Sequence, residues 1–148
     1  MKLSKKGRYG LKALVDLSVN SKNSQVSLSS IAERNSISSQ YLEQIFSNLK
    51  KAGIIKSKKG PQGGYFLAKD AGKITVADVL ESLEGGYEIE SEVIAEDTPQ
   101  AGISSAIQVL VIDKVNQKLS DYLNQLTLED LENFYMSSKD SDGFMYYI

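Results

Sequence analysis

The sequence predicts a mainly α-helical chain with one small β-hairpin, and three observations carry that expectation. Apolar residues recur at i, i+3, i+4 and i+7 in most segments. One short stretch, IIKSKKGPQGGYFLA, alternates instead and is interrupted by Gly60-Pro61-Gln62-Gly63-Gly64, which reads as a hairpin with a Gly-rich tip. Charge is divided along the chain. Residues 1–73 carry fourteen Lys/Arg against four acids (+10), and residues 74–148 carry three Lys against fifteen acids (−12). The net charge of −2 therefore hides a strongly basic half.

Taken in order, the first helix is expected from Ser4, its N-cap, to about Val19, with Leu11, Leu14, Val15 and Ser18 on one face. Asn20 to Gln25 form a polar turn. A short helix follows near Ser30 to Arg34, where Ser30 and Glu33 have capping-box spacing. The third helix is capped by Ser38, with Ile37 and Leu42 at the positions of a hydrophobic staple and Leu42, Ile45, Phe46 and Leu49 as its apolar stripe. Ala52-Gly53 closes it. Hairpin strands are expected near 54–58 and 64–68. A fourth helix begins at Thr75 and stops at Gly85-Gly86, with Val76, Val79, Leu80 and Leu83 inward.

Residues 87–100 are acidic and end near a Pro, so they read as a loop. From Gly102 to about Asn124 a long helix carries Ile103, Ile107, Leu110, Val111, Val115, Leu119, Tyr122 and Leu123 at helical spacing. Such a helix is about 30 Å long, and its stripe is expected to meet a second copy of itself across a two-fold axis. A last helix starts at Thr127, with Asp130 at N3, and runs to about Tyr135. Helix, short helix, helix, hairpin is the order of a winged helix-turn-helix. The expected organisation is such a domain over 1–84, an acidic loop over 85–101, and a dimerisation helix with a C-terminal helix and tail over 102–148.

Composition narrows the chemistry. The chain has no Cys and no His, which removes disulfides, Cys/His zinc sites, thiolate-held iron–sulfur clusters, and Ser-His or Cys-His catalysis. No phosphate-cradling loop or convergent carboxylate pair is evident, so no enzyme and no cofactor is expected. The sequence holds no apolar run of the ~18 residues that suggest a membrane span. The basic start MKLSKKGRYG lacks the apolar core of a signal peptide. A cytoplasmic location is expected.

The third helix carries Gln40, Glu43, Gln44, Ser47 and Lys51 opposite its apolar stripe. Gln pairs with adenine and Glu accepts from cytosine N4, and a recognition helix presents its N-terminal residues to the bases. Ser38, Ser39, Gln40, Glu43 and Gln44 are thus the candidate base-reading set, with Tyr41 placed to touch a phosphate. In the hairpin, Lys56, Lys58 and Lys59 precede a tip in which Gly60 and Gly63 permit close backbone approach to a phosphate. Lys5, Lys6 and Arg8 fall in the first turn of the first helix, where the helix dipole disfavours cations and a facing phosphate would favour them.

The segments SKKGRYGLKAL, IAERNSISSQYLEQIFSNLKKAGIIKSKKGPQGGYFLAKD and ITVADVLESLEG resemble the Rrf-type winged-helix regulators. The likeness runs from Met1 to about Glu84, and YLEQ, KKAG and KGPxGGY are its specific blocks. It implies winged-helix domains paired through a long helix on double-stranded operator DNA. Its implied DNA contacts fall on Arg8 and Tyr9, on Gln40, Glu43 and Gln44, and on Lys59 and Gly60. The wing position is commonly Arg in the family, and Lys59 lacks Arg's planar fork. Many relatives hold an iron–sulfur cluster with three cysteines after the fourth helix, and residues 84–102 here contain none.

The chain is also similar, at SDGFMYYI, to the cysteine-free branch of the family, repressors of cysteine and sulfur metabolism that act with cysteine synthase (O-acetylserine thiol-lyase). That resemblance implies a partner site on Met145, Tyr146, Tyr147 and Ile148, with the terminal Ile carboxylate imitating an amino-acid substrate. Two alternatives stay open: Phe144, Met145 and the tyrosines dock on the dimer helices and order the terminus, or the whole protein is a winged-helix adaptor that reads no DNA sequence.

Overall fold

The computed structural model of the protein describes residues 2–140. Its first helix, α1 (Lys5–Asn20), is capped by Ser4, whose hydroxyl accepts from the Gly7 amide. The same residue donates its amide to Glu84 at 2.9 Å, and its hydroxyl also donates to that carboxylate, so the cap ties the start of the chain to the fourth helix.

The second helix, α2 (Leu28–Asn35), starts earlier than the sequence predicts. Ser27, not Ser30, is its cap: the Ser27 hydroxyl accepts from the Ser30 amide at 3.2 Å, and the Ser30 hydroxyl donates back to the Ser27 carbonyl at 2.8 Å. The reason is tertiary. Val26 pairs with Tyr65 through N–H···O bonds of 2.9 and 2.8 Å, holding the chain extended up to Ser27.

A tight turn follows with Ser36 in the left-handed region (φ 53). Helix α3 (Ser39–Lys51) is capped by Ser38, as its spacing predicts, and buries Leu42, Ile45, Phe46 and Leu49 completely. Gly53 follows it at φ 75, a conformation that costs a side-chain-bearing residue more.

Strands β1 (Ile55–Lys58) and β2 (Gly64–Leu67) pair antiparallel, with Ile55 opposite Leu67 and Lys58 opposite Gly64. Phe46 meets Tyr65 edge-on at 4.9 Å and seats the hairpin on α3. Helix α4 (Val76–Glu84) opens with a complete capping box between Thr75 and Asp78 and packs on α1.

The long helix is one run interrupted in phase: α5 (Ala101–Ile107), a π-helical segment over Gln108–Asp113, and α6 (Lys114–Gln125). A π segment turns more slowly than an α-helix, so the expected stripe does not stay on one line. Ile112, absent from that stripe, is the buried residue here, at 7% exposure. Ile103, Ile107, Leu110 and Val111 are exposed, whereas Leu119 and Leu123 are half-buried beside Leu3 and Leu80 of their own chain.

Residues 87–92 run beside this helix. Ile89 and Asn116 exchange two hydrogen bonds of 2.8 and 2.9 Å, and the Glu92 amide donates to Gln108 at 2.6 Å. The final helix, α7 (Leu128–Lys139), has the predicted Thr127/Asp130 capping box but continues one turn past Tyr135. Its cap lies against that of α4, where the Val76 amide donates to Leu126 and the Leu128 amide to Ile74. One core unites α1, α2, α3, the hairpin, Ile74, Val79, Leu83 and Leu128.

Candidate nucleic-acid interface

Burial of its apolar stripe decides which way α3 faces. With Leu42, Ile45, Phe46 and Leu49 turned inward, Ser39, Gln40, Glu43, Gln44, Ser47 and Lys51 stand exposed on the opposite side. Ser38 has a second task beyond display, since its hydroxyl accepts from the Tyr41 amide at 3.2 Å as the helix cap.

The start of α1 lies beside the start of α3. Tyr9 and Tyr41 meet edge-on with ring centres 5.8 Å apart. Lys5 Nζ and Lys12 Nζ lie 5.4 and 5.5 Å from the Tyr9 ring centre. Tyr41 is thus a half-buried packing residue whose ring braces α1. Lys5, Tyr9, Ser36, Ile37, Ser38 and Tyr41 line a cleft of about 360 Å³ at the positive end of the α3 dipole. Arg8 is exposed, with its Nε donating to the Leu3 carbonyl at 3.1 Å, and Lys6 is half-buried.

The hairpin forms the other flank. Lys58, Lys59 and Gly60 are exposed at its tip. Gly60 has φ 109, and the Gly63 amide donates to the Gly60 carbonyl at 2.9 Å. A Cβ on Gly63 would lie 2.2 Å from the Lys58 carbonyl oxygen, so the tip closes only without a side chain there. Lys50 Nζ donates to the Ser57 hydroxyl at 2.6 Å and fixes the hairpin to the end of α3. The fold therefore assembles a polar helix face between two basic flanks, the α1 start and the hairpin tip. A face of that kind suits base-edge contacts, and flanks of that kind suit phosphates.

The angle between α1 and α2 depends on residues that the sequence does not single out. Asp16 accepts from Arg34 at 2.7 and 2.9 Å and from Asn35 at 3.0 Å. The hydrogen bond to Asp16 raises the Arg34 pKa against an opposing effect of burial. These partners are eighteen and nineteen residues apart, and no local spacing marks them.

Met145, Tyr146, Tyr147 and Ile148 lie outside the described residues, so the expected partner site is not part of this geometry.

A helix-turn-helix followed by a hairpin wing, with an exposed polar third helix, defines the winged-helix class. Residues 3–133 match the family Rrf2, described as an iron-dependent transcriptional regulator. The chain is 38% identical over 133 residues to the HTH-type transcriptional regulator IscR of Klebsiella pneumoniae, covering 90% of this chain and 80% of that one. Among solved structures it is similar to CymR (YrzC), the global cysteine regulator of B. subtilis, with a TM-score of 0.76, 36% identity, and coverage of 90% of this chain and 98% of that one. It is similar to IscR of T. potens with a TM-score of 0.75, 35% identity, and coverage of 99% and 97%. The chain belongs to the Rrf2 family and is a DNA-binding transcriptional regulator.

The iron dependence in that family description is not matched by ligands here. The chain offers neither thiolate nor imidazole, and no group of three or more Asp or Glu is placed to hold a metal among the described residues. The acids of residues 88–97 are exposed rather than convergent. These residues do not fit a cysteine-held iron–sulfur cluster.

Proposed function

We propose that this protein is a cytoplasmic homodimeric repressor of cysteine and sulfur metabolism genes, binding an imperfect inverted repeat in double-stranded DNA. The observation that carries the proposal is the exposed α3 face of Gln40, Glu43 and Gln44 between two basic flanks. In this reading Ser38, Ser39 and those three residues approach base edges. Lys5, Lys6, Arg8, Tyr9 and Tyr41 on one side, and Lys51, Lys58, Lys59, Gly60 and Gly63 on the other, hold phosphates. Two-fold pairing goes through the long helix, with Ile103, Ile107, Leu110, Val111, Val115 and Leu119 as the interface residues. It is supported by the run of exposed large apolar residues along this helix, Ile103 (65%), Ile107, Leu110 (68%) and Val111.

The signal, in this proposal, comes from cysteine synthase through Met145, Tyr146, Tyr147 and Ile148. Two points support it: the chain has no Cys or His to hold a sensing cluster, and one structural relative is the global cysteine regulator of B. subtilis. Footprinting on operator duplex at modest salt tests the DNA reading, which fails if no site is protected. A pull-down from cell extract compares the intact chain with one lacking residues 145–148. Cysteine synthase recovered equally by both forms refutes the tail assignment.

A further inference from the structure

Helices α1, α2 and α7 line an open groove of about 790 Å³. Its floor is apolar: Leu11, Val15 and Val19 of α1 face Leu131 and Phe134 of α7. The first three and Leu131 are half-buried, and Phe134 is 64% exposed. The rim is basic. Lys12 and Lys139 line it, and its one lining acid, Asp16, is already bonded to Arg34 and Asn35.

We propose that this groove is the docking site of the chain's own residues 141–148. The segment begins where the wall of the groove ends, since Ser138 and Lys139 line it and Asp140 caps α7. Reach is sufficient. Eight extended residues span about 26–29 Å, and the distance back along α7 from Asp140 to Leu131 is about 14 Å. The order of residues suits a reversal: Ser141, Asp142 and Gly143 are small or turn-forming, and Phe144, Met145, Tyr146, Tyr147 and Ile148 follow as an apolar run. Charge is complementary, because Asp142 enters a rim where Lys12 and Lys139 have no lining acid of their own. The docked segment covers the floor of α1 and reaches Arg34 and Asn35, the end of the first helix of the helix-turn-helix. A partner that captures Met145–Ile148 then competes with the groove, and its apparent affinity falls with the docked fraction. The docking itself holds whether or not that partner is cysteine synthase.

Because the chain has no Cys, Met145→Cys gives a single attachment point for a nitroxide on the full-length protein. With label and isotope on the same chain, the methyl signals of Val15 and Val19 are expected to be lost and to return when the nitroxide is reduced. Phe134→Asp, at an exposed position, is expected to restore them without changing the melting temperature. Signals that never broaden overturn the proposal. So does loss seen only when label and isotope sit on different chains, which assigns the groove to a second copy. Loss confined to residues 103–111, or unchanged by Phe134→Asp, also overturns it. None of these outcomes depends on DNA or enzyme binding, so failure here is distinct from failure of the repressor reading.

Discussion

Glu132 offers the sharpest energetic test of how α7 is held to the winged domain. It is 8% exposed, accepts from the Ser18 hydroxyl of α1, and pairs with Lys22 at 2.7 Å. Ser18 is 1% exposed, so removing the carboxylate leaves a buried hydroxyl without that acceptor. Glu132→Ala is therefore expected to cost about 2–3 kcal/mol, or roughly 5–10 °C in melting temperature for a chain of this length. Glu132→Gln keeps the shape and an acceptor for Ser18 but loses the charge, and about 1 kcal/mol is expected.

The pH dependence has a defined sign. Burial pushes the Glu132 carboxyl up, but the Lys22 hydrogen bond, the Ser18 hydroxyl and the Lys22 charge together hold it below the ordinary value. A carboxylate whose folded pKa lies below its unfolded one stabilises fully above the unfolded value, about 4.3, and that contribution disappears as pH falls through the folded value. Thermal melts followed by circular dichroism should show the full parent–variant gap at neutral pH and a narrowing gap below about pH 4. An alanine variant that melts with the parent at neutral pH, or a gap that widens in acid, refutes the reasoning.

Four further outcomes follow from the proposed function. Gly63→Ala forces a Cβ to within 2.2 Å of the Lys58 carbonyl oxygen, so the hairpin tip must open; anisotropy titrations should show weaker operator binding while the core melting temperature holds. Gln40→Ala should cost about 1–3 kcal/mol of discrimination at one base position, whereas Lys59→Ala should weaken all sequences alike and reduce the slope of log affinity against log salt by about 0.9. Leu110→Glu, at a position 68% exposed in the single chain, should shift sedimentation from dimer to monomer and reduce operator affinity with it.

Much of the helix-turn-helix was legible because its signals are local. Ser4, Ser38, Thr75 and Thr127 cap helices wherever the chain is placed, since the cap bonds the amide three residues on. The α3 stripe follows from 3.6-residue periodicity alone, and the exposed polar face follows as its complement. The α2 start was misread because VSLSS offers several equivalent caps, and the selection is made by Val26 pairing with Tyr65, thirty-nine positions away. The long helix was legible in extent but not in phase. A π segment leaves no periodic signature of its own, so Ile112 in place of its neighbours could not be expected to turn inward.

The absence of Cys and His, the +10 and −12 halves, the caps and the polar face of α3 belong to the sequence by itself, because each rests on residue chemistry or on spacings within one or two turns. Only the tertiary structure decided the rest. It set α1 beside α3 through Tyr9 and Tyr41, locked α1 to α2 through Asp16 and Arg34, and buried Glu132 of α7 against Ser18 of α1. Each of those contacts joins residues whose separation along the chain exceeds any helical or strand period, so only the packing of the core determines that they meet.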